Sequence, residues 1–328
     1  MTHLRISTVA VALATTLSLA ACGGTDSSSG GTAAVKKLKV VYVPGLTGNP
    51  FYTTVGCGAQ SVAAKLNVDF SVQGAPQFDL AAQTAIVEAL IASKPDAIMI
   101  SITDSKGMIA PLARAKAAGI KIVAIDGDLE DTSIAVTNIQ SDNGKGGALA
   151  ADALGELMGG KGSVVMLSNN AGSPIGEQRL KGFSDEMKSK YPGIQNLGVQ
   201  YSKNQTSQAA LIVSSTAVAH SDLKGVYTTA TNNTEGAITG VRESNKVGQI
   251  SIVGYDTSDP IVNALHNGTL AADVVQFPYG EGKLGLQSAV DAIHGKSVPR
   301  SQTQPFGIAT PKNVDTPEIQ QYIYKTSC

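Results

Sequence analysis

The sequence has no tryptophan, and only three cysteines and four histidines in 328 residues. Cys22, Cys57 and Cys328 lie far apart, with none of the short spacings that bind metal or carry redox chemistry. His3, His220, His266 and His294 are equally scattered, so no metal site built from His and Cys is expected. Charge is scarce: 16% of residues are charged and the formal net charge is -1. A chain without a basic excess has no electrostatic footprint for nucleic acid. The G-x-S-x-G nucleophile turn and the H-E-x-x-H zinc helix are both missing. Gly155-Glu156-Leu157-Met158-Gly159-Gly160-Lys161-Gly162 comes near a phosphate-binding loop but fails twice. Gly162 stands where a Ser or Thr would hold magnesium, and the glycines end a helical pattern instead of following a strand. The segment reads as a helix C-cap and turn. Asp126 and Asp128 sit two apart in a turn and read as a solvated pair or a helix cap rather than as acid and base. No catalytic residue, metal or cofactor is expected.

The apolar run Ile6 to Ala20 is too short for a comfortable membrane span. It follows a short positive stretch, Met1-Thr2-His3-Leu4-Arg5, and ends in Leu19-Ala20-Ala21-Cys22-Gly23. That is the plan of a secretory signal, and the small residues before Cys22 resemble a bacterial lipobox. Residues 1–21 are expected as a signal peptide, Cys22 as the lipidated first residue, and 22–36 as a flexible Ser/Gly-rich tether. An ordinary signal peptide cut nearby is the alternative. Both place the mature protein outside the cytoplasm; lipidation anchors it to the outer face of the cell membrane. Once Cys22 is modified, Cys57 and Cys328 are the remaining thiols, in an oxidising compartment. Either they form a disulfide, or Cys57 is a small buried helix residue.

From Leu38 onward, strand and helix patterns alternate. Leu38 to Val43 is a β-branched apolar run, followed by Gly45-Leu46-Thr47-Gly48-Asn49-Pro50-Phe51-Tyr52 and a helical pattern from Val55 to Leu66. A strand, a Gly-rich turn and a helix open a βαβ unit, so this turn lies where open α/β sheets bind ligands. Phe51 and Tyr52 can pack against the C–H face of a small polar ligand while Asn49 bonds its hydroxyls, or the aromatics fill the core. Further strands are expected at 68–72, 97–100, 120–125 and 134–136. A second series follows Ser141-Asp142-Asn143, with strands at 163–167, 197–200, 225–227, 250–253 and 272–275. So many units exceed one ordinary sheet. The expected fold is α/β: two similar doubly wound parallel-sheet lobes. Crossings are expected near Ser141-Asp142, Gln276-Phe277-Pro278 and Pro305-Phe306-Gly307. Three such crossings would make each lobe discontinuous in sequence.

Polar residues stand at the carboxyl ends of several expected strands. Asp126 follows 120–125, Asp256 follows 250–253, Gln276 follows 272–275, Asn49 lies in the first turn, and Arg179 is on the helix after Ser173. Carboxylates accept hydroxyls and a guanidinium donates in a fork, which suits a neutral polyhydroxylated ligand. No nucleophile–base pair accompanies them.

These residues carry a resemblance. Asn49-Pro50-Phe51-Tyr52, Ile125-Asp126, Ser141-Asp142-Asn143, Arg179-Leu180-Lys181-Gly182-Phe183, Val253-Gly254-Tyr255-Asp256 and Gln276-Phe277-Pro278 occur in an order and spacing similar to the ribose-type periplasmic sugar-binding proteins of ABC transporters. The resemblance spans about Leu38 to Thr310. It implies two lobes joined by a three-segment hinge, a first lobe (37–141 plus 277–305) and a second lobe with the tail (142–276 plus 306–328), with a small neutral sugar or polyol between them, and an ABC permease with its ATPase as partner. It carries ligand binding onto Asn49, Phe51, Tyr52, Asp126, Arg179, Asp256 and Gln276; Ser101 and Asn232 complete the candidate set at positions where the pattern departs from the family's. A monomer is expected. Ribose binders have Asn where Ser101 stands, Arg where Gly127 stands, an aromatic near Asn204 and an Asn near Ala230, for which Asn232 can substitute. Without the second-lobe aromatic one slice of the ring sandwich is gone, so another pentose or an acyclic polyol fits at least as well as ribose. Sugar-responsive repressors share the fold but begin with a helix-turn-helix, whereas this chain begins with an export signal. Presentation of a sugar or of an autoinducer-2-like furanosyl signal to a membrane sensor is the alternative role.

Overall fold

Alternation along one strand shows how the core is built. In Leu38–Val43 (β1), Val40 and Tyr42 face one apolar cluster while Val41 and Val43 face another. A strand buried on both faces has helices on both sides, which is why its sequence is apolar throughout. The computed structural model describes residues 36–328; the expected signal peptide, Cys22 and nearly all of the tether lie outside them.

The first sheet has the order β11-β5-β4-β3-β1-β2 and is parallel throughout. Its strands are β1, Val68–Val72 (β2), Ala97–Ile100 (β3), Lys121–Ile125 (β4), Thr137–Ser141 (β5) and Ser301–Gln304 (β11). The second sheet has the matching order β12-β10-β9-β8-β6-β7. Its strands are Gly162–Ser168 (β6), Ile194–Tyr201 (β7), Leu223–Thr228 (β8), Ser251–Tyr255 (β9), Ala272–Val275 (β10) and Gly307–Ala309 (β12). Apart from the edge strand β12, antiparallel to β10, this sheet is parallel as well. The order 2-1-3-4-5 recurs in both halves and is that of a doubly wound sheet, which binds ligands beyond its carboxyl edge. The chain passes between the sheets after β5, after β10 and between β11 and β12.

The helices of the first lobe are Pro50–Ala63 (α1), Leu80–Ser93 (α2), Ile109–Ala117 (α3) and Pro278–Ile293 (α9). Those of the second are Asn143–Leu157 (α4), Pro174–Lys190 (α5), Thr206–Ala219 (α6), Thr231–Glu243 (α7), Asp259–His266 (α8) and Pro317–Gln320 (α10). Asp79 starts α2 by accepting from the Ala82 N–H at 2.8 Å. Gly159 and Gly160, both at positive φ, end α4, so the near-match to a phosphate loop is a helix stop.

Two helix pairs approach through glycine. A Cβ on Gly282 of α9 would lie 1.9 Å from the Val55 carbonyl of α1, and one on Gly147 of α4 would lie 2.1 Å from the Arg179 carbonyl of α5.

Three local expectations are corrected. The strand expected at 134–136 lies at Thr137–Ser141. The Pro-rich segment after Pro299, which reads as a connection without strands, contains two edge strands, β11 and β12, and the short final helix expected at 317–324 stops at Gln320. The last residues, 324–328, depart from the grouping of 306–328 with the second lobe. Tyr324 joins the first lobe's core, Lys325 N–H donates to Thr54 Oγ1 at 2.6 Å, and Cys328 is disulfide-bonded to Cys57 of α1.

Candidate functional site

Asp126 and Asp256 occupy equivalent places, one residue past β4 and one past β9. Each backbone N–H reaches over to the neighbouring strand, Asp126 to the Ile139 carbonyl (2.9 Å) and Asp256 to the Val274 carbonyl (3.0 Å). Both have left-handed backbones, φ 49° and 70°. Side-chain-bearing residues adopt this region at a cost, aspartate more readily than most, and such positions cluster at functional sites.

Arg179, on α5, is almost wholly buried. Its Nε donates to Asn143 Oδ1 (2.9 Å), one Nη donates to the Thr229 carbonyl (2.9 Å), and the guanidinium lies 3.8 Å over the Tyr255 ring. That same Nη stands 3.8 Å from Asp256 Oδ2 in an ion pair. The other oxygen, Asp256 Oδ1, accepts from Gln276 Nε2 (2.6 Å) and from the Tyr324 hydroxyl (2.7 Å). Gln276 lies at the second crossing, so one carboxylate gathers groups from β9, the hinge, α5 and the tail.

Burial pushes the Asp126 carboxyl up to about 7; Arg179 pulls the other way and Asp256 adds to the rise. Glu281, in the first turn of α9, is raised well above the carboxylate range, first by burial and then by Asp126. Burial works against the Arg179 charge, but Tyr255, Asp256 and Asp126 outweigh it and raise its pKa. Burial, with Asp126 and Asp256, likewise raises Tyr52, which stays a neutral phenol. These mutual influences put Asp126, Arg179, Asp256, Glu281 and Tyr52 within electrostatic range of one another. Several polar atoms here have no hydrogen-bond partner among the described residues: Asp126 Oδ1, Gln276 Oε1, Glu281 Oε2 and the Tyr255 hydroxyl. Buried polar groups are normally paired, and several orphans together are what a polar ligand would satisfy.

The periplasmic binding protein domain model matches residues 40–297. The chain belongs to that family. An ABC transporter solute-binding protein from Agrobacterium vitis, solved with α-D-tagatopyranose, superposes with TM-score 0.83 at 32% identity, over 88% of this chain and 100% of the other. The ribose import binding protein of Bacillus subtilis is 27% identical over 80% of this chain and 84% of its own length. The xylitol-binding protein of Mycolicibacterium smegmatis is 27% identical over 95% and 87% respectively. Members of the periplasmic binding protein family are extracytoplasmic and bind solutes without transforming them.

In this periplasmic binding protein the nine residues anticipated as ligand contacts are not all in one place. Arg179, Asp256 and Gln276 come together, with Asp126 and Tyr52 within electrostatic range of them. Asn49 is turned to its own helix, its side-chain carbonyl accepting from the Phe51 N–H at 2.9 Å as the N-cap of α1. Phe51 is buried in the first lobe's core, edge-on to Tyr52 and Tyr324. Ser101 is buried, its hydroxyl engaged with that of Tyr42 at 2.9 Å. Asn232 donates to the Asn204 side-chain oxygen at 2.9 Å. Asp128 separates from Asp126 and bonds the Asn138 and Gln140 side chains. Four neighbours of this cluster are not among those nine: Asn143 and Tyr255 against Arg179, Tyr324 against Asp256, and Glu281 within electrostatic range. Asn143 and Tyr255 lay inside segments already singled out, next to an acid in each case. Glu281 and Tyr324 had no local signal.

Proposed function

We propose that this protein captures a small neutral sugar, pentose-like, or a polyol between its two lobes and delivers it to an ABC permease with its ATPase. The observation that carries this reading is the cluster of Asp126, Arg179, Asp256 and Gln276, drawn from both sheets and from the hinge. Carboxylate and amide oxygens accept ligand hydroxyls, and a guanidinium donates to ring or hydroxyl oxygens. Arg179 is paired with Asp256, while burial favours the protonated forms of Asp126 and Glu281. The site therefore has little net charge with which to hold an ion. The names of the relatives, with ribose, xylitol and tagatopyranose, support the same ligand class. Ser101 and Gly127, where ribose binders have Asn and Arg, favour another pentose or an acyclic polyol.

A thermal-shift screen of pentoses, hexoses and polyols tests the reading. A ligand at about 100 times its dissociation constant adds ~2.7 kcal/mol to stability. A stabilising pentose or polyol is expected; no shift with any neutral sugar or polyol overturns the reading. Uptake of the labelled ligand that depends on the permease supports delivery, whereas a sensor response without uptake points to signalling. Lipidation at Cys22 belongs to the same proposal. Stable anchoring needs more than one acyl chain, and intact mass of membrane-extracted protein is expected to show a multiply acylated N-terminal Cys22. Sedimentation is expected to give a monomer.

A further inference from the structure

The C-terminal tail makes a fourth passage between the lobes. Val314 and Ile319 sit in the second lobe's core, and Tyr322 and Ile323 pack against it. Tyr324 still bonds that lobe: its N–H donates to Thr257 Oγ1 (2.9 Å) and its hydroxyl to Asp256 Oδ1 (2.7 Å). Its ring belongs to the other lobe, edge-on to Phe51 with centroids 5.6 Å apart. One residue later Lys325 is bonded to Thr54 of α1, and the chain ends in the bond from Cys328 to Cys57 on the same helix.

We propose that this tail is part of the binding site: Tyr324 contacts the ligand and selects among ligands through Asp256, and the Cys57–Cys328 disulfide holds it in position. The proposal rests on the sugar or polyol reading of the cleft. A phenol has one proton to give, and Tyr324 gives it to Asp256 Oδ1. Its oxygen lone pairs stay free to accept a ligand hydroxyl. Because Gln276 and Tyr324 both occupy Oδ1, the Oδ2 that faces Arg179 is the oxygen left for the ligand. Tyr324 thereby decides which hydroxyl positions Asp256 can read. The disulfide ties the end of the tail to α1 while the Tyr324 N–H stays bonded to Thr257, so the tail is held from both lobes at once.

Tyr324→Phe removes the hydroxyl and keeps the ring against Phe51. Calorimetric titrations of the full-length protein with D-ribose, D-arabinose, D-tagatose and xylitol compare this variant, the Cys57→Ser/Cys328→Ser double variant and the wild type. Both variants are expected to bind at least ~10-fold more weakly, as for loss of a hydrogen bond to a charged group. Tyr324→Phe is also expected to change the ranking of the four probes in a protein that stays folded, its ligand-free melting temperature lower by several degrees. Affinities within about twofold of wild type for Tyr324→Phe, in unchanged order, overturn the proposal. Loss with Tyr324→Phe but not with the double variant overturns the role of the disulfide. Wild-type protein that binds none of the probes overturns the sugar reading, and this proposal with it.

Discussion

Asp126 and Asp256 are equivalent in position but not in company. Asp256 holds donors from Gln276 and Tyr324 and an ion pair with Arg179, whereas Asp126 Oδ1 has no partner among the described residues. Neither acts as a cap: Ser258, not Asp256, stands at the N-cap of α8. Asp256→Ala is expected to weaken sugar or polyol binding by tens-fold or more and to lower stability by roughly 3 kcal/mol, because it strands the buried Arg179 charge. Calorimetry beside thermal melting checks both; normal affinity with a lowered melting temperature would show a structural role only. Asp126 is expected to act through pH. Its folded pKa, about 7, lies above the ordinary carboxylate value because burial disfavours the charge. Folding therefore bears no cost from Asp126 at low pH, and stability falls as pH rises from about 4 through 7, where the folded state must give up the proton. Asp126→Asn cannot ionise, so the gain of ligand-free protein over wild type should be larger at pH 8 than at pH 5, by roughly 2–3 kcal/mol. At ~2–4 °C per kcal/mol for a chain of this size the gain is measurable. A gain equal at both pH values would refute the assignment.

At the scale of elements, the glycine contacts between helices link packing to the cleft. α4 and α5 meet where Gly147 faces the carbonyl of Arg179 itself. Gly147→Ala should cost ~1–3 kcal/mol by overpacking and also weaken ligand binding, since α5 must move and takes Arg179 with it. Gly282→Ala makes a comparable clash between α9 and α1, at the Val55 carbonyl. It should cost as much in stability but leave Arg179 in place, so the two variants separate in affinity more than in urea midpoint. The elements that escaped the sequence are edge strands. Ser301-Gln302-Thr303-Gln304 carries no apolar alternation, and β12 follows a proline. Their strand state comes from pairing with β5 and β10, partners far away in sequence. The strand placed at Ile134 to Val136 was misjudged because those apolar residues pack into the clusters as the chain enters β5. Thr137-Asn138-Ile139-Gln140-Ser141 takes the sheet position between β4 and β11.

For the whole molecule, groups on both sheets must meet to form the site, so binding should shift the population toward a closed form. Small-angle scattering is expected to show a smaller radius of gyration with saturating ligand; an unchanged radius would contradict closure. The Cys57–Cys328 bond joins residues 271 apart. A loop of that length places its loss, in Cys57→Ser/Cys328→Ser, at ~2–5 kcal/mol, read from non-reducing urea melts. The α/β class and the paired lobes were legible from the chain alone, because doubly buried strands must be apolar and must alternate with helices. Asp126, Asp256 and Gln276 were legible as candidates because each follows a strand whose carboxyl edge faces ligands in such sheets, and Arg179 because a cation on the helix after Ser173 can donate in a fork. Sequence could not assign the side chains that serve the chain itself, such as Asn49 as a cap, Phe51 as core and Ser101 bonded to Tyr42. Their chemistry suits a ligand equally well, and only the neighbours decide. Nor could it assign Glu281 and Tyr324, which reach the cleft through the hinge and through a tail tied back to α1. Local pattern determines which segments form strands and helices; which distant side chains share one small space is determined by how the two sheets and the tail close upon each other.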